Sequence, residues 1–141
     1  MNEIGRAQKW IYDKLVADPD VEDVIGTRVY ANQAPEGVDF PLILFSFQGG
    51  FDTRGNGTCR IQTNPVFQIK VICESAPDDD VLLVADRIDE LFQEAVTEIS
   101  EEYVFSSRRE QPVQFAEPKP GSAEIYTHVG GLYRLVIYPE A

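Results

Sequence analysis

The pattern of apolar and polar positions begins as a helix. Ile4, Ala7, Ile11 and Leu15 recur on one stripe with Trp10 beside it. Asn2 is placed to cap the first turn, and Asp18-Pro19 stops the run because the residue before a proline avoids the α region. The spacing predicts a helix over residues 3–17, weakened at its start by Gly5. A short helical turn over 21–25 ends at Gly26, a C′ residue, and 28–30 reads as a short strand before a loop over 31–40. Pro41 opens a nearly all-apolar strand over 42–47, of the kind covered on both faces. Residues 49–58 hold four glycines and an Asn-Gly pair, which predicts a long, mobile hairpin connection. A strand over 60–73 follows, in which Phe67, Ile69, Val71 and Cys73 alternate with Gln68 and Lys70.

The strongest helical pattern comes next and is predicted over 79–100. Val81, Val84, Ala85, Ile88, Leu91, Phe92, Ala95, Val96 and Ile99 form one apolar stripe, and Asp86, Asp89, Glu90, Glu94 and Glu98 form the opposite face. Strand fragments at 103–105 and 113–115, a turn at 117–121 and a last strand over 125–138 complete the chain. Gly130-Gly131 marks a bulge or a close backbone approach within that strand, and Pro139 ends it. The expected fold is α+β: a mainly antiparallel sheet of about four to five strands packed against two helices, in a single domain.

Charge narrows the function classes. The chain carries 24 Asp and Glu against 12 Lys and Arg, a net charge of −12. Four lysines, Lys9, Lys14, Lys70 and Lys119, make no basic stripe, so direct nucleic-acid binding is not expected. The acidity fits solubility in a saline habitat, and it equally fits a surface that lets DNA pass without holding it. No apolar run reaches membrane-spanning length, and the first residues lack a signal-peptide layout, so a cytoplasmic origin is expected.

Candidate chemistry is sparse. Cys59 and Cys73 do not indicate a disulfide, and one histidine without a Cys-x-x-Cys pair argues against a transition-metal site. The glycine-rich segment lacks the Gly-Lys-Ser/Thr ending of a phosphate cradle. His128 sits within the last strand and reads as a structural or surface histidine. Asp78, Asp79 and Asp80 lack the alternating spacing of a calcium loop and read as a helix start, where carboxylates meet the positive end of the dipole. No catalytic, cofactor or metal-ligating residue is assigned.

Two sets of residues remain as contact candidates. Phe51, Asp52, Arg54, Asn56 and Arg60 surround the glycine-rich segment, and Arg108-Arg109 is the adjacent basic pair expected to meet an acidic face of a neighbouring subunit. Asp86, Glu90, Glu94 and Glu98 stand at i,i+4 on one helix face, where each like-charge pair costs about 0.2–0.5 kcal/mol. Such a column is either a solvated face or a face turned toward DNA or a basic partner.

The order of elements resembles the tail-completion proteins, or tail terminators, of long-tailed bacteriophages. The carriers are Leu15-Val16-Ala17-Asp18-Pro19, then Val24-Ile25-Gly26-Thr27-Arg28-Val29-Tyr30, then Pro35 and Phe40-Pro41, followed by the apolar strand, the alternating strand and the long helix. The chain departs from that pattern in an insertion over 105–121 and in its acidity. The resemblance implies a virion structural protein, assembled in the host cytoplasm, that forms a hexameric ring at the head-proximal end of the tail. Its implied partners are copies of itself, the tail tube protein and a head-completion or neck protein. DNA would pass through the ring, and no cofactor, membrane or enzymatic activity is implied. The rival expectations are another neck connector of the same structural class, and a small acidic ligand-binding domain or enzyme, which would need a deep pocket with convergent polar groups.

Overall fold

The computed structural model describes residues 2–57, 60–93, 95–100 and 103–139. The elements run α1 (Glu3–Ala17), α2 (Pro19–Ile25), β1 (Val29–Ala31), β2 (Leu42–Arg54), β3 (Arg60–Glu74), α3 (Asp79–Phe92), β4 (Ala95–Ser100), β5 (Tyr103–Pro118) and β6 (Ile125–Pro139). The strands form one sheet in the order β1-β2-β3-β6-β5-β4. β1 pairs in parallel with β2, and every other neighbour is antiparallel.

The first helix ends where its sequence dictates. The Asn2 side chain accepts from Gly5 N at 2.9 Å, and Asp18 both closes α1 and caps α2 by accepting from Val21 N at 3.2 Å. Gly26 ends α2 at φ 64°. The buried faces of the three helices share one core with Ile43, Phe45, Phe67, Ile69, Tyr133 and Leu135, which stand on one face of the sheet. Trp10 stacks on Phe105 at 5.1 Å between ring centres and meets Phe92 edge-on at 5.7 Å. Aromatic pairs in these geometries add specific attraction to their burial. All three helices therefore cover one side of the sheet, and the other side carries no helix.

Several expectations are corrected. The layering is that of an α+β fold, but the sheet has six strands, one pair of them parallel, and three helices pack on it rather than two. The helix expected over 79–100 stops at Phe92. The Phe92 carbonyl is satisfied by the buried Ser107 hydroxyl at 2.7 Å, and the β-branched run that follows pairs with β5 as β4. The glycine-rich segment expected to be a mobile loop is mostly strand, since β2 continues to Arg54 across an irregularity between Phe47 and Gly49. Gly50 is required there: a Cβ would lie 2.4 Å from the Asn64 carbonyl oxygen. Residues 55–57 form the turn, while Thr58 and Cys59 lie outside the described residues. The strand fragments expected at 103–105 and 113–115 are one continuous strand, β5, with an irregularity between Arg109 and Gln111, and the turn expected at 117–121 follows its end at Pro118. The close approach expected at Gly130 is present, since a Cβ would lie 2.1 Å from the Ile69 carbonyl oxygen.

Candidate functional site

The helix-free face of the sheet carries an open groove of about 660 Å³ lined by Phe51, Asn64, Arg108, Glu110, Arg134 and Val136. Its floor follows from register. Gly49 is opposite Val66, Val66 is opposite Arg134, and Arg134 is opposite Arg108, so both guanidinium groups project from one face. Like charges directly opposed across strands repel. The irregularity in β5 brings Glu110 to that face, where its Oε1 accepts from Arg134 Nε at 2.6 Å. Arg134 also donates Nη1 to the Asn64 carbonyl at 2.9 Å and stands 5.1 Å from the Phe51 ring centre. Asn64 is buried and donates to the Phe51 carbonyl at 3.2 Å and to the Thr53 hydroxyl at 3.0 Å, which fixes the upper part of β2 to β3. Phe51 itself is 59% exposed.

Register separates the contact residues predicted from sequence. Phe51 and Arg108 both line the groove. Arg109 points to the helical side, with its Nε 3.4 Å from Asp89 Oδ1, so Arg108 and Arg109 serve opposite faces of the sheet. Arg60 pairs with Glu3 and stands 3.9 Å from Asp52, also on the helical side. Arg54 and Asn56 are exposed at the hairpin tip. Arg54, Arg60, Arg108 and Arg109, all contact candidates from sequence, are thus divided between the hairpin tip and the two faces of the sheet. Among the described residues, Arg108 pairs with no carboxylate. Arg134, Asn64 and Glu110 were missed from sequence. The alternation of β6 signals that Arg134 leaves the core, but its meeting with Phe51 depends on register.

The predicted acidic surface also divides. Asp86 and Glu90 are exposed on α3, and Glu90 accepts from Arg87 Nη1 at 2.6 Å. Glu94 lies outside the described residues. Glu98 is not on the helix: it belongs to β4, where it accepts from Trp10 Nε1 at 2.9 Å and pairs with Lys14. What remains on α3 is a stripe of Asp79, Leu83, Asp86 and Glu90 on its outer side, with Leu83 52% exposed. Arg87 reaches from the same helix to the buried Asp18 carboxylate, whose pKa it holds below the usual carboxylate value.

His128 is buried on the helix-free face, stacked on Phe115 at 4.2 Å between ring centres. Its Nε2 shares a 2.8 Å hydrogen bond with Glu117, and burial lowers its pKa. Burial also lowers the pKa of Lys70, whose Nζ stands 5.1 Å from the Phe115 ring centre. No nucleophile joins this group among the described contacts. Cys73 is buried and its thiol pKa is raised by that burial, an environment of an inert thiol. Among the described residues, no three His, Cys, Asp or Glu side chains converge as metal ligands, and no helix is long and apolar enough to cross a membrane.

No protein-family model matches the chain, and no curated protein matches it. Among solved structures, the chain superposes on one described as "Virion of native gene transfer agent (GTA) particle", with a TM-score of 0.61. The two are 17% identical, and the match covers 96% of each chain. At that identity the likeness is one of fold. It runs almost from end to end of both chains.

Proposed function

We propose that this chain is a virion structural protein that forms a ring capping the head-proximal end of a phage-type tail tube, where it ends tube growth and joins tail to head. The observation that carries the reading is the fold match over 96% of each chain to a component of a virion particle. The order of motifs from Leu15 to Pro41 supports it independently. The work of such a subunit is geometric. One ring face reproduces the contacts that tube subunits make with one another, and the other face does not, so growth stops. No chemical step is required of any side chain, and the chain is proposed not to be an enzyme. The net charge of −12 suits a channel that must pass a polyanion without holding it.

The test is tube capping. Purified chain is added to tail tube protein during polymerisation, and tube ends are scored by negative-stain electron microscopy. Binding at one end with arrested growth is the expected result. Tubes that lengthen normally and carry no chain at either end would reject the capping role. Binding to the head-side connector instead would assign the chain to the neck, the reading favoured if the exposed β2–β3 hairpin contacts a portal-side partner.

A further inference from the structure

The geometry points to a specific contact between copies of this chain: the groove at Phe51, Arg108 and Arg134 receives the outer stripe of α3 at Asp79, Leu83 and Asp86 of a second copy. The inference rests on the ring-subunit reading above, and it names the two patches that such a ring would join.

The argument begins with charge. α2 and α3 together carry eight carboxylates against one arginine. The groove reverses that balance, with Arg108 and Arg134 against Glu110 alone. Arg134 already spends its guanidinium on Glu110 and on the Asn64 carbonyl, whereas Arg108 pairs with no carboxylate among the described residues. In a chain of net charge −12, this is a surface on which acidic groups are not repelled.

The apolar groups complement one another in the same way. Leu83 is 52% exposed in the middle of the acidic stripe, and Phe51 is 59% exposed at the groove wall beside Val136. An apolar knob flanked by carboxylates and an apolar wall flanked by guanidinium groups form a matching pair, with the charged rim fixing orientation and the apolar centre excluding water. The groove's volume of about 660 Å³ and its open shape suit several side chains of a helix rather than one enclosed small molecule.

The two patches lie on opposite sides of the molecule. α3 packs its other stripe, Val81, Val84, Ile88 and Phe92, on one face of the sheet, and the groove opens on the other face. Because a patch meets a different patch, the contact is heterologous, which propagates from copy to copy and closes only if the rotation closes. Arg108 and Asp86 are both exposed, so reversing either charge leaves the core untouched.

The experiment is a charge swap read by sedimentation velocity of the free chain at about 0.15 M salt, where the screening length is about 8 Å. Arg108→Glu and Asp86→Arg should each weaken self-association about tenfold or more, and the double variant should recover most of that loss. Leu83→Asp should abolish association while leaving the thermal midpoint unchanged. A wild-type chain that remains monomeric under these conditions overturns the proposal, and so does a double variant no better than the single ones. If Arg108→Glu loses tube binding but keeps normal self-association, the groove belongs to a different partner and the proposal also fails. The capping role stands or falls separately. A swap-dependent assembly that ignores tubes keeps this contact and rejects the cap. Capping by a chain whose variants assemble normally does the reverse.

Discussion

Arg87 holds Asp18 with its whole guanidinium edge: Nη2 is 2.7 Å and Nε is 2.9 Å from Oδ1, and Nε is 3.0 Å from Oδ2. The carboxylate is buried at the corner between α1 and α2, and the arginine comes from the middle of α3. One residue thus caps α2 with its side chain, closes α1 with its backbone N–H and, through Arg87, ties both to α3. Multidentate, charge-assisted bonds of this kind are among the stronger polar contacts in proteins.

Asp18→Ala removes the cap and the pair together and should cost about 2–4 kcal/mol of unfolding free energy. Asp18→Asn keeps a good capping side chain and should cost less. Chemical denaturation of both variants, with Arg87→Ala to complete a double-mutant cycle, checks this; equal losses for Asp18→Ala and Asp18→Asn would mean that the cap contributes nothing. Acid should expose the same link. The folded pKa of Asp18 lies below its ordinary value of 3.8, so its stabilisation is full above 3.8 and disappears as pH falls through the lower folded value. Arg87→Ala should flatten that part of the acid-unfolding curve.

His128 sets a second acid window, higher than the first. Burial depresses its folded pKa below 6.5, with Glu117 opposing the shift and Lys70 reinforcing it. The folded state therefore binds fewer protons than the unfolded state just below pH 6.5. Stability is full above 6.5 and falls as the pH drops toward the folded value. In a series of urea midpoints against pH, His128→Gln should lose this slope and keep the lower Asp18 step. A variant with the wild-type slope would transfer the effect to other groups.

Gly130 offers a steric test of the sheet. A methyl group there would fall 2.1 Å from the Ile69 carbonyl oxygen and 2.6 Å from the Lys70 Cα, which are backbone atoms that cannot turn aside. Gly130→Ala should destabilise by about 1–3 kcal/mol, the range for overpacking. A thermal midpoint equal to that of the wild type would show that β3 and β6 separate there easily.

The sequence was most legible where a local signal and the tertiary fold agree. α1 carries a cap at Asn2, a clean stripe and a stop at Asp18-Pro19, and it forms over the expected residues. Residues 95–100 misled because Ala95, Val96 and Ile99 continue the helical period and no glycine or proline marks the break after Phe92. The stop is tertiary: Ser107, far along the chain, takes up the last helical carbonyl. Gly49 and Gly50 misled in the other direction. Glycines that read as a loop instead allow the tight approach of β2 to Asn64 and Pro65. The candidate site was half legible. Phe51 and Arg108 stand among the contact candidates read from sequence, but only register joins them to Arg134 and sends Arg109 to the other face.

Glu98 and Asp86, read from sequence as members of one acidic column, should behave as different kinds of residue. Glu98 is a structural carboxylate. It accepts from the indole of Trp10, which is 5% exposed, and pairs with Lys14, so it anchors the edge strand β4 to α1. Glu98→Ala leaves that indole donor without its partner and should cost about 1–2 kcal/mol, with self-association of the folded chain unchanged. Asp86 is exposed on the outer stripe of α3, and Asp86→Arg should leave the unfolding midpoint within about 0.5 kcal/mol of the wild type while weakening assembly. Measuring both properties on both variants separates carboxylates that hold the fold from those that face a partner. If Asp86→Arg instead unfolds the chain, the outer stripe of α3 is part of the subunit's own architecture, and the acidic excess on that helix needs a cause within the fold.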